Sequence, residues 1–404
     1  MNSKVAWNDG FSDLGRNPLP VDLYHDETAF QLQKDRIFKR AWLFAGMKSS
    51  IPRSGDYFIR SVPTFGFSLI FVRGKDETIR AFYNVCTHRG TDLCNNDHGN
   101  VSRFVCPFHA WSFDTHGNLV AITEERSSFN LERNRNGLRP VQIDTCGDLI
   151  FFNLDESPTH TLQDFLGEIA PILDVLEKEK LTAHSEFDVE LECNWMTVLD
   201  AARESYHFGV LHKGSGGGAV SDPDHMGELL EARNMGFHCR GAYWGNPRYK
   251  PSPLEKIVAQ ASMDSAGLTA GTAQKGPSPL LNISKSNEWA HDVLCIFPNV
   301  VLASNGSSMV VQQTWPITAH LSLYETGCYF PEPQTAAERF AIEHYGVRTR
   351  DVLIEDIMNS VRIHGNYAAG AISNIHYSDH EIMLRHQYHI VRTWMNEDSN
   401  IYAA

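Results

Sequence analysis

Nowhere do about 18 apolar residues run together, so the sequence predicts no membrane-spanning helix. The start of the chain, MNSKVAWNDGFSDLGRNPLP, lacks the basic residues and apolar run of a secretory signal. Cysteine is scarce, eight residues in 404, too few for a disulfide scaffold. Positive charge is in the minority: the formal net charge is −14, which argues against nucleic acid or an anionic membrane as the main partner. Low-complexity tracts and internal repeats are missing as well. What is left is the composition of a globular protein, 42% apolar and 21% charged, long enough for two or three domains. The expectation is a cytoplasmic protein, either a small-molecule enzyme or one that docks a partner with a basic face, in a reducing compartment where cysteine clusters mean metal or chemistry.

Texture changes along the chain. Residues 22–47 carry Phe30, Ile37, Phe38 and Trp42 at helical spacing. From about 50 to 155 come short β-runs broken by Gly, Asp, Asn and Pro, such as GDYFIRSV, FSLIFVRG and GDLIFFNL. They predict a small antiparallel barrel or sandwich. Helices are expected at 162–180 and 194–208, a loop-rich section at 213–285, strands near VLCIFPNVVLAS and SMVVQQTWPI, and a long helix at 334–364. The fold class is α+β, with an all-β domain ahead of an antiparallel sheet carrying helices.

Two short motifs lie in the β-rich part. CTHRG (Cys86–Gly90) and CPFHAW (Cys106–Trp111) each offer one thiol and one imidazole, with seventeen residues between His88 and Cys106. A zinc finger takes its cysteines from a hairpin and its histidines from a helix. Here each loop gives one of each, which suits a two-iron, two-sulfide cluster with both thiolates on one iron and both imidazoles on the other. A mixed Cys/His zinc site is the competing reading. Cys94, Cys146, Cys193, Cys239, Cys295 and Cys328 have no such pairing and read as ordinary core or surface residues.

Further on, CNWMTVLDAARESYHFGVLH (Cys193–His212) has Trp195, Val198, Leu199, Ala202 and Tyr206 at helical spacing. Asp200, Glu204 and His207 would share another face. His207 and His212 are five apart, about 140° out of line on a regular helix. They converge only if the helix ends or widens between them, where Gly209 stands. Two imidazoles with acids nearby suggest a mononuclear metal site.

CTHRG and CPFHAW, with GNL (Gly117–Leu119) behind them, resemble the Rieske domain of the non-heme iron oxygenases, and most of the chain is similar to the large (alpha) subunit of the aromatic-ring-hydroxylating dioxygenases. The resemblance implies an N-terminal helical segment at 1–45 packing on the catalytic domain, a Rieske [2Fe-2S] domain at 46–157 and a catalytic iron domain at 158–404 with a helix-grip-like sheet. It implies Cys86, His88, Cys106 and His109 as cluster ligands, and His207, His212 and Asp356 as ligands of a mononuclear Fe(II). Asp356 lies in RDVLIEDIMNSV, whose buried face is read as Leu353, Ile354, Ile357, Met358 and Val361; Glu355 is its nearest competitor. Glu204 falls where the family places an acid bridging an iron histidine to a cluster histidine of the neighbouring subunit; Asp200 is a candidate acid behind the iron ligands. Two departures stand out: N-W-M replaces the usual N-W-K, and Asp200-Ala201 replaces the usual E-N.

The activity so implied is the terminal oxygenase of a multicomponent system. It uses O₂ and electrons from NAD(P)H, through a separate reductase or ferredoxin, to hydroxylate or cis-dihydroxylate an aromatic, carboxylated or hydroxylated molecule. The alternative is a monooxygenase for quaternary amines or demethylation, where a bridging Glu also occurs. A pure electron carrier and a zinc-stabilised binding protein are the other classes. A head-to-tail homotrimer is expected, and many α chains of this type carry a small β subunit. Pocket walls are sought at Leu199, Phe208, Val210 and FPNVVLASN, and lids in the Gly-rich stretches at 213–221 and 265–279.

Overall fold

The computed structural model describes residues 11–127, 131–178, 181–261 and 280–396. The chain divides into two compact units, one Phe38–Leu162 and the other joining Met1–Ile37 to Gln163–Ala404. Helix α1 (Glu27–Gln33) starts where Asp26 accepts a hydrogen bond from the Ala29 amide at 2.8 Å, an N-cap. The helical spacing expected to reach residue 47 fails earlier. Leu43–Met47 is a strand, because its backbone pairs with Leu149–Phe152 and tertiary pairing overrides periodicity.

In the unit Phe38–Leu162, five strands come first: β1 (Leu43–Met47), β2 (Asp56–Val62), β3 (Phe67–Arg73), β4 (Ile79–Tyr83) and β5 (His98–Asn100). A small sheet follows, made of β6 (Phe104–Val105), β7 (Ser112–Phe113) and β8 (Leu119–Ala121). Then β9 (Pro140–Cys146) and β10 (Leu149–Asn153) complete the large sheet in the order β1-β10-β9-β4-β3-β2-β5, antiparallel throughout. FSLIFVR and LIFFN form strands because β-branched and aromatic residues fit a buried pleated surface. The core of this unit includes Ile70, Phe82, Phe104 and Phe113, and Cys86 and Cys106 are packed among them. Buried Asn84 pins the chain beyond the first cysteine loop. Its Oδ1 accepts from the amides of Leu93 and Cys94, and its Nδ2 donates to the Cys94 carbonyl at 2.9 Å.

The other unit is built on a second seven-stranded sheet. From Leu181 on, its main elements are β11 (Leu181–Leu191), α2 (Trp195–Ala201), α3 (Phe208–Leu211), β12 (Leu229–Met235), β13 (His238–Trp244), α4 (Pro253–Ala261), β14 (Trp289–Ile296), β15 (Val300–Ser304), β16 (Met309–Thr318), β17 (Leu321–Pro331), α5 (Ala336–Ala368) and α6 (Ile382–Asn396). The sheet order is β11-β17-β16-β15-β14-β13-β12, again antiparallel. The section expected to be loop therefore contains two strands and a helix. LLEARNM alternates charge with apolar residues weakly, and HCRGAYW is buried throughout, so neither shows the period-2 signal of a half-buried strand. Helix α5 opens with a capping box between Thr335 and Glu338. Its buried face is narrower than expected: Leu353 and Ile357 are buried, while Ile354 and Met358 are 38% and 55% exposed. Buried Ser360 and His364 continue the i, i+4, i+7 line from Leu353, and residues one step round the helix fall outside it. Among the described residues no helix is long and apolar enough to cross a membrane.

Candidate metal centres

The two cysteine loops share one backbone frame. In each, the cysteine carbonyl accepts from the amide four residues on (Gly90 at 2.9 Å, Ala110 at 3.0 Å), and the cysteine amide donates to the carbonyl five residues on (Thr91 and Trp111, both 2.8 Å). Such a tight loop needs a left-handed residue at its fourth step. Gly90 supplies it at φ +80°, and Ala110 adopts it at φ +58° at some steric cost. The frame turns the amides of His88 and Arg89 toward the Cys86 sulfur, and those of Phe108 and His109 toward the Cys106 sulfur. The rings of His88 and His109 meet edge to face, centroids 4.8 Å apart, and His88 stacks on Trp111 at 4.6 Å.

These residues fit a sulfide-bridged diiron group. Nδ1 of His109 is buried with no hydrogen-bond partner, an orphan that a metal would satisfy. Burial pushes the Cys86 thiol up to about 11; at Cys106 burial acts the same way, but the amides of His109 and Phe108 outweigh it and favour thiolate. Two adjacent thiolates in an apolar core need a cation, and a metal provides it.

The downstream triad is assembled from two elements. Buried Asn194 caps α2, accepting from the Met196 amide at 2.9 Å and donating to the Ala319 carbonyl at 3.2 Å. Trp195 fixes the roll of the helix through Nε1, which donates to Gln33 Oε1 at 2.8 Å. The helix then stops at Ala201, so the expected helix over 194–208 is broken before His207 and not at Gly209. His207 and His212 stand just outside the two ends of the one-turn helix α3, and the 140° offset of a continuous helix no longer applies. Their Nε2 atoms approach to 3.1 Å, and Asp356 Oδ1, delivered by α5, lies 3.2 and 3.0 Å from them. Three donors at right angles on bonds of about 2.1 Å would lie about 3.0 Å apart, so this face fits one metal ion. Among the described residues, His207, His212 and Asp356 are the group of three or more such side chains able to hold an ion. Burial alone would lower the His207 pKa, but Asp356 and Glu204 outweigh it and raise it to about 9.

Each imidazole is held from behind by a carboxylate. Nδ1 of His207 donates to Glu204 Oε1, while Glu204 Oε2 accepts from the amides of Tyr206 and His207. Nδ1 of His212 donates to Glu355 Oε2 at 2.7 Å, and Ser215 Oγ donates to the same oxygen at 2.6 Å. Carboxylate–imidazole pairs of this kind fix the tautomer that leaves Nε2 free for metal. Glu355 is thus not a solvated helix charge. The signal for it was the acid next to Asp356, which on a helix turns about 100° away and reaches the other imidazole. Replacing Glu355 with Ala should weaken iron binding about 10–100-fold, checked by competition with a chelator, with the cluster spectrum unchanged.

Asp200 lies elsewhere. Its carboxylate accepts from the hydroxyls of Tyr24 (2.7 Å) and Tyr377 (3.2 Å) and sits 3.5 Å from fully buried Arg203, so none of these contacts reaches the triad. The reason is the end of α2: residues 200, 204 and 207 share no helix face once the helix stops at 201. Burial raises the Asp200 pKa to about 6.

A cavity of about 270 Å³ opens beside His212. Phe208 lines it, as do Ala303, Ser304 and Asn305 of the FPNVVLASN stretch. Leu199 is fully buried away from it and Val210 is 72% exposed, so those two expected wall residues are not part of it. The Gly-rich 213–221 stretch lines it through Ser215, Gly216, Gly217, Ala219 and Val220, with a 3-10 turn over Gly217–Ala219. The second expected lid, 265–279, lies outside the described residues.

Two family models match the chain: Ring hydroxylating alpha subunit (catalytic domain) over residues 178–397, and Rieske [2Fe-2S] domain over residues 41–135. A glycine betaine monooxygenase oxygenase subunit of Pseudomonas aeruginosa is 32% identical over 325 residues, 76% of this chain and 72% of that one. A carnitine monooxygenase oxygenase subunit of Escherichia coli is 31% identical over 197 residues, 48% of this chain and 52% of that one; the match spans about half that relative's length. Among solved structures, a quaternary ammonium Rieske monooxygenase superposes with a TM-score of 0.75 at 19% identity, covering 95% of this chain and 97% of the other.

Proposed function

The chain belongs to the Rieske non-heme iron oxygenases, of the ring-hydroxylating alpha-subunit type, and on that premise we propose that it is a terminal oxygenase acting on a small quaternary amine. When bound, the cluster supplies electrons one at a time and the ferrous iron supplies the position at which dioxygen is activated. Cys86, Cys106, His88 and His109 hold the cluster; His207, His212 and Asp356 hold the iron, oriented by Glu204 and Glu355. The observation that carries the reading is the cavity opening beside His212, walled by Phe208, Tyr345, Val310 and Leu353. Aromatic faces and apolar walls suit a trimethylammonium group, which is large, cationic and unable to donate hydrogen bonds. The relatives named for glycine betaine and carnitine support the same class. An aromatic acid is the second reading, favoured by the same ring surfaces of Phe208 and Tyr345.

Electrons come from a separate reductase or ferredoxin and enter the iron site through Glu204 from a second copy of the chain, in a homotrimer. Exposed apolar residues support docking at both ends of that route. Tyr206 (48%) and Val210 (72%) follow Glu204 in the chain, and Val105 (47%) and Phe108 (54%) precede His109. A cytoplasmic location agrees with eight cysteines that form no disulfide. The test is oxygen uptake, with a surrogate reductase, over a panel of trimethylammonium compounds and aromatic acids, scored for hydroxylated or demethylated product. Product from a quaternary amine alone is expected. Product from aromatic acids alone would replace the substrate class, and no uptake with any compound by protein carrying both metals would sink the oxygenase reading.

A further inference from the structure

One charged pair in the cavity wall, Arg348 with Glu255, holds neither metal site. Arg348 lies on α5, eight residues before Asp356, which places its Cα about 12 Å along the helix from the iron ligand. Its Nη1 is paired with Glu255 of α4, and its Nη2 donates weakly to the Ser215 carbonyl at 3.4 Å. Glu255 is itself locked. Its Oε2 accepts from the Ser252 amide at 2.6 Å, its Oε1 accepts from the Tyr249 hydroxyl at 2.9 Å, and its side chain is 8% exposed. Arg348 is 32% exposed, and Arg348, Glu255 and Tyr249 all line the cavity that reaches His212.

The glycine-rich KGSGGG run is what admits this guanidinium. Gly216 has φ +123°, and a Cβ built on it would collide with Arg348 Nη2. On Gly217 a Cβ would collide with the carbonyl of Phe208, the first residue of α3, which follows His207 directly. Gly216 and Gly217 are therefore the close-packed part of the run, one against the arginine and the other against the backbone between the iron histidines. Ser215, in the same run, also donates to Glu355.

A guanidinium has five N–H donors in a rigid fork that matches a carboxylate. Among the described residues Arg348 gives one of them to Glu255, one, at 3.4 Å, to the Ser215 carbonyl and one to the Tyr249 hydroxyl, so two of the five remain for a ligand. Glu255 fixes the position of the fork and offsets the cost of burying its charge. We propose that Arg348 is the anchor for a substrate carboxylate, held by the locked Glu255 and admitted by Gly216, so that the substrate is an acid whose reacting end lies toward His212. This rests on the oxygenase reading and sharpens it. Betaines and aromatic acids both carry that group, and the cavity then separates substrates by what fills the Phe208 end.

The test is calorimetric titration of the anaerobic, iron-loaded protein with two acid/amide pairs: γ-butyrobetaine and its carboxamide, and benzoate and benzamide. For whichever acid binds, the amide should bind about 10–100-fold more weakly, the loss of one charge-assisted contact. Arg348→Gln should weaken the acid to the level of the amide and leave the amide within about twofold. Arg348→Lys, which keeps charge without the fork, should fall between. If α4 is merely clamped to α5 by this pair, Arg348→Gln and Glu255→Gln would shift acid and amide together, and the proposal fails. It fails also if neither acid binds, or if the amides bind the wild type as well as the acids do. Should Arg348→Gln not fold, the acid/amide ratio in the wild type and in Arg348→Lys decides. Turnover of a substrate with no acidic group would overturn the anchor and leave the oxygenase standing; absence of both metals would remove the oxygenase reading whatever the binding shows.

Discussion

Asp356→Ala protein should purify with the cluster spectrum intact, with iron reduced from about three to about two per chain, and with turnover at background. The carboxylate is the one anionic donor among the three that converge on the site, and it lies 3.2 and 3.0 Å from the two imidazole nitrogens. Without it two neutral rings remain, and their Nε2 atoms no longer share an anionic partner. The cluster loops belong to the unit Phe38–Leu162 and lose no contact, so their spectrum serves as the internal control. A second readout needs no metal. Asp356 and Glu204 outweigh burial and hold the His207 pKa at about 9, above the ordinary value of about 6.5. A raised histidine pKa contributes stability that is fully present below about pH 6.5 and is lost as pH rises through about 9. Metal-free wild type should therefore lose stability across that window, and Asp356→Ala should flatten much of the slope. Retention of the third iron in the variant would remove Asp356 from the ligand set.

How much of this was legible in the residues depended on range. CTHRG and CPFHAW could be read because a tight loop keeps its thiol, imidazole and left-handed residue within six positions. The structure shows those loops as the matching frames around Gly90 and Ala110. His207 and His212 were equally local. The end of α2 at Ala201 was not, since DAARESYHF keeps apolar spacing after the backbone has left the helix. That single misreading put Asp200 beside the iron histidines, when it belongs with Tyr24, Tyr377 and Arg203. Glu355 and Arg348 were out of reach for a different reason. Each is an ordinary helix charge until α5 is laid against Ser215, 140 and 133 residues away. The glycines at 214–218 read as a lid, because the sequence cannot distinguish glycine that permits motion from glycine that permits the close packing seen at Gly216 and Gly217.

Glu204→Gln separates holding a metal from feeding it. The amide oxygen of Gln can still accept the Nδ1–H of His207, so iron content should stay within about twofold of wild type. The second carboxylate oxygen, which accepts from the amides of Tyr206 and His207, is replaced by an NH₂ group that can only donate, and the negative charge beside the imidazole is gone. Stopped-flow reoxidation of the prereduced cluster by O₂ and substrate should slow by about a hundredfold or more, with both metals present. An unchanged rate would refute the bridge. If the bridge stands, whether Glu204 is fed from its own chain or from another copy is a separate matter, and two dead variants decide it. Cys106→Ser keeps the iron ligands and loses the cluster, while Asp356→Ala keeps the cluster and loses the iron. Each homomer should be inactive. If the route crosses between copies, co-expressed mixtures should regain turnover wherever a Cys106→Ser chain receives electrons from an Asp356→Ala neighbour. Adding Glu204→Gln to the Cys106→Ser chain should abolish that rescue, because the bridge belongs to the chain that holds the iron. Adding it to the Asp356→Ala chain should leave the rescue intact, since that chain contributes only its cluster.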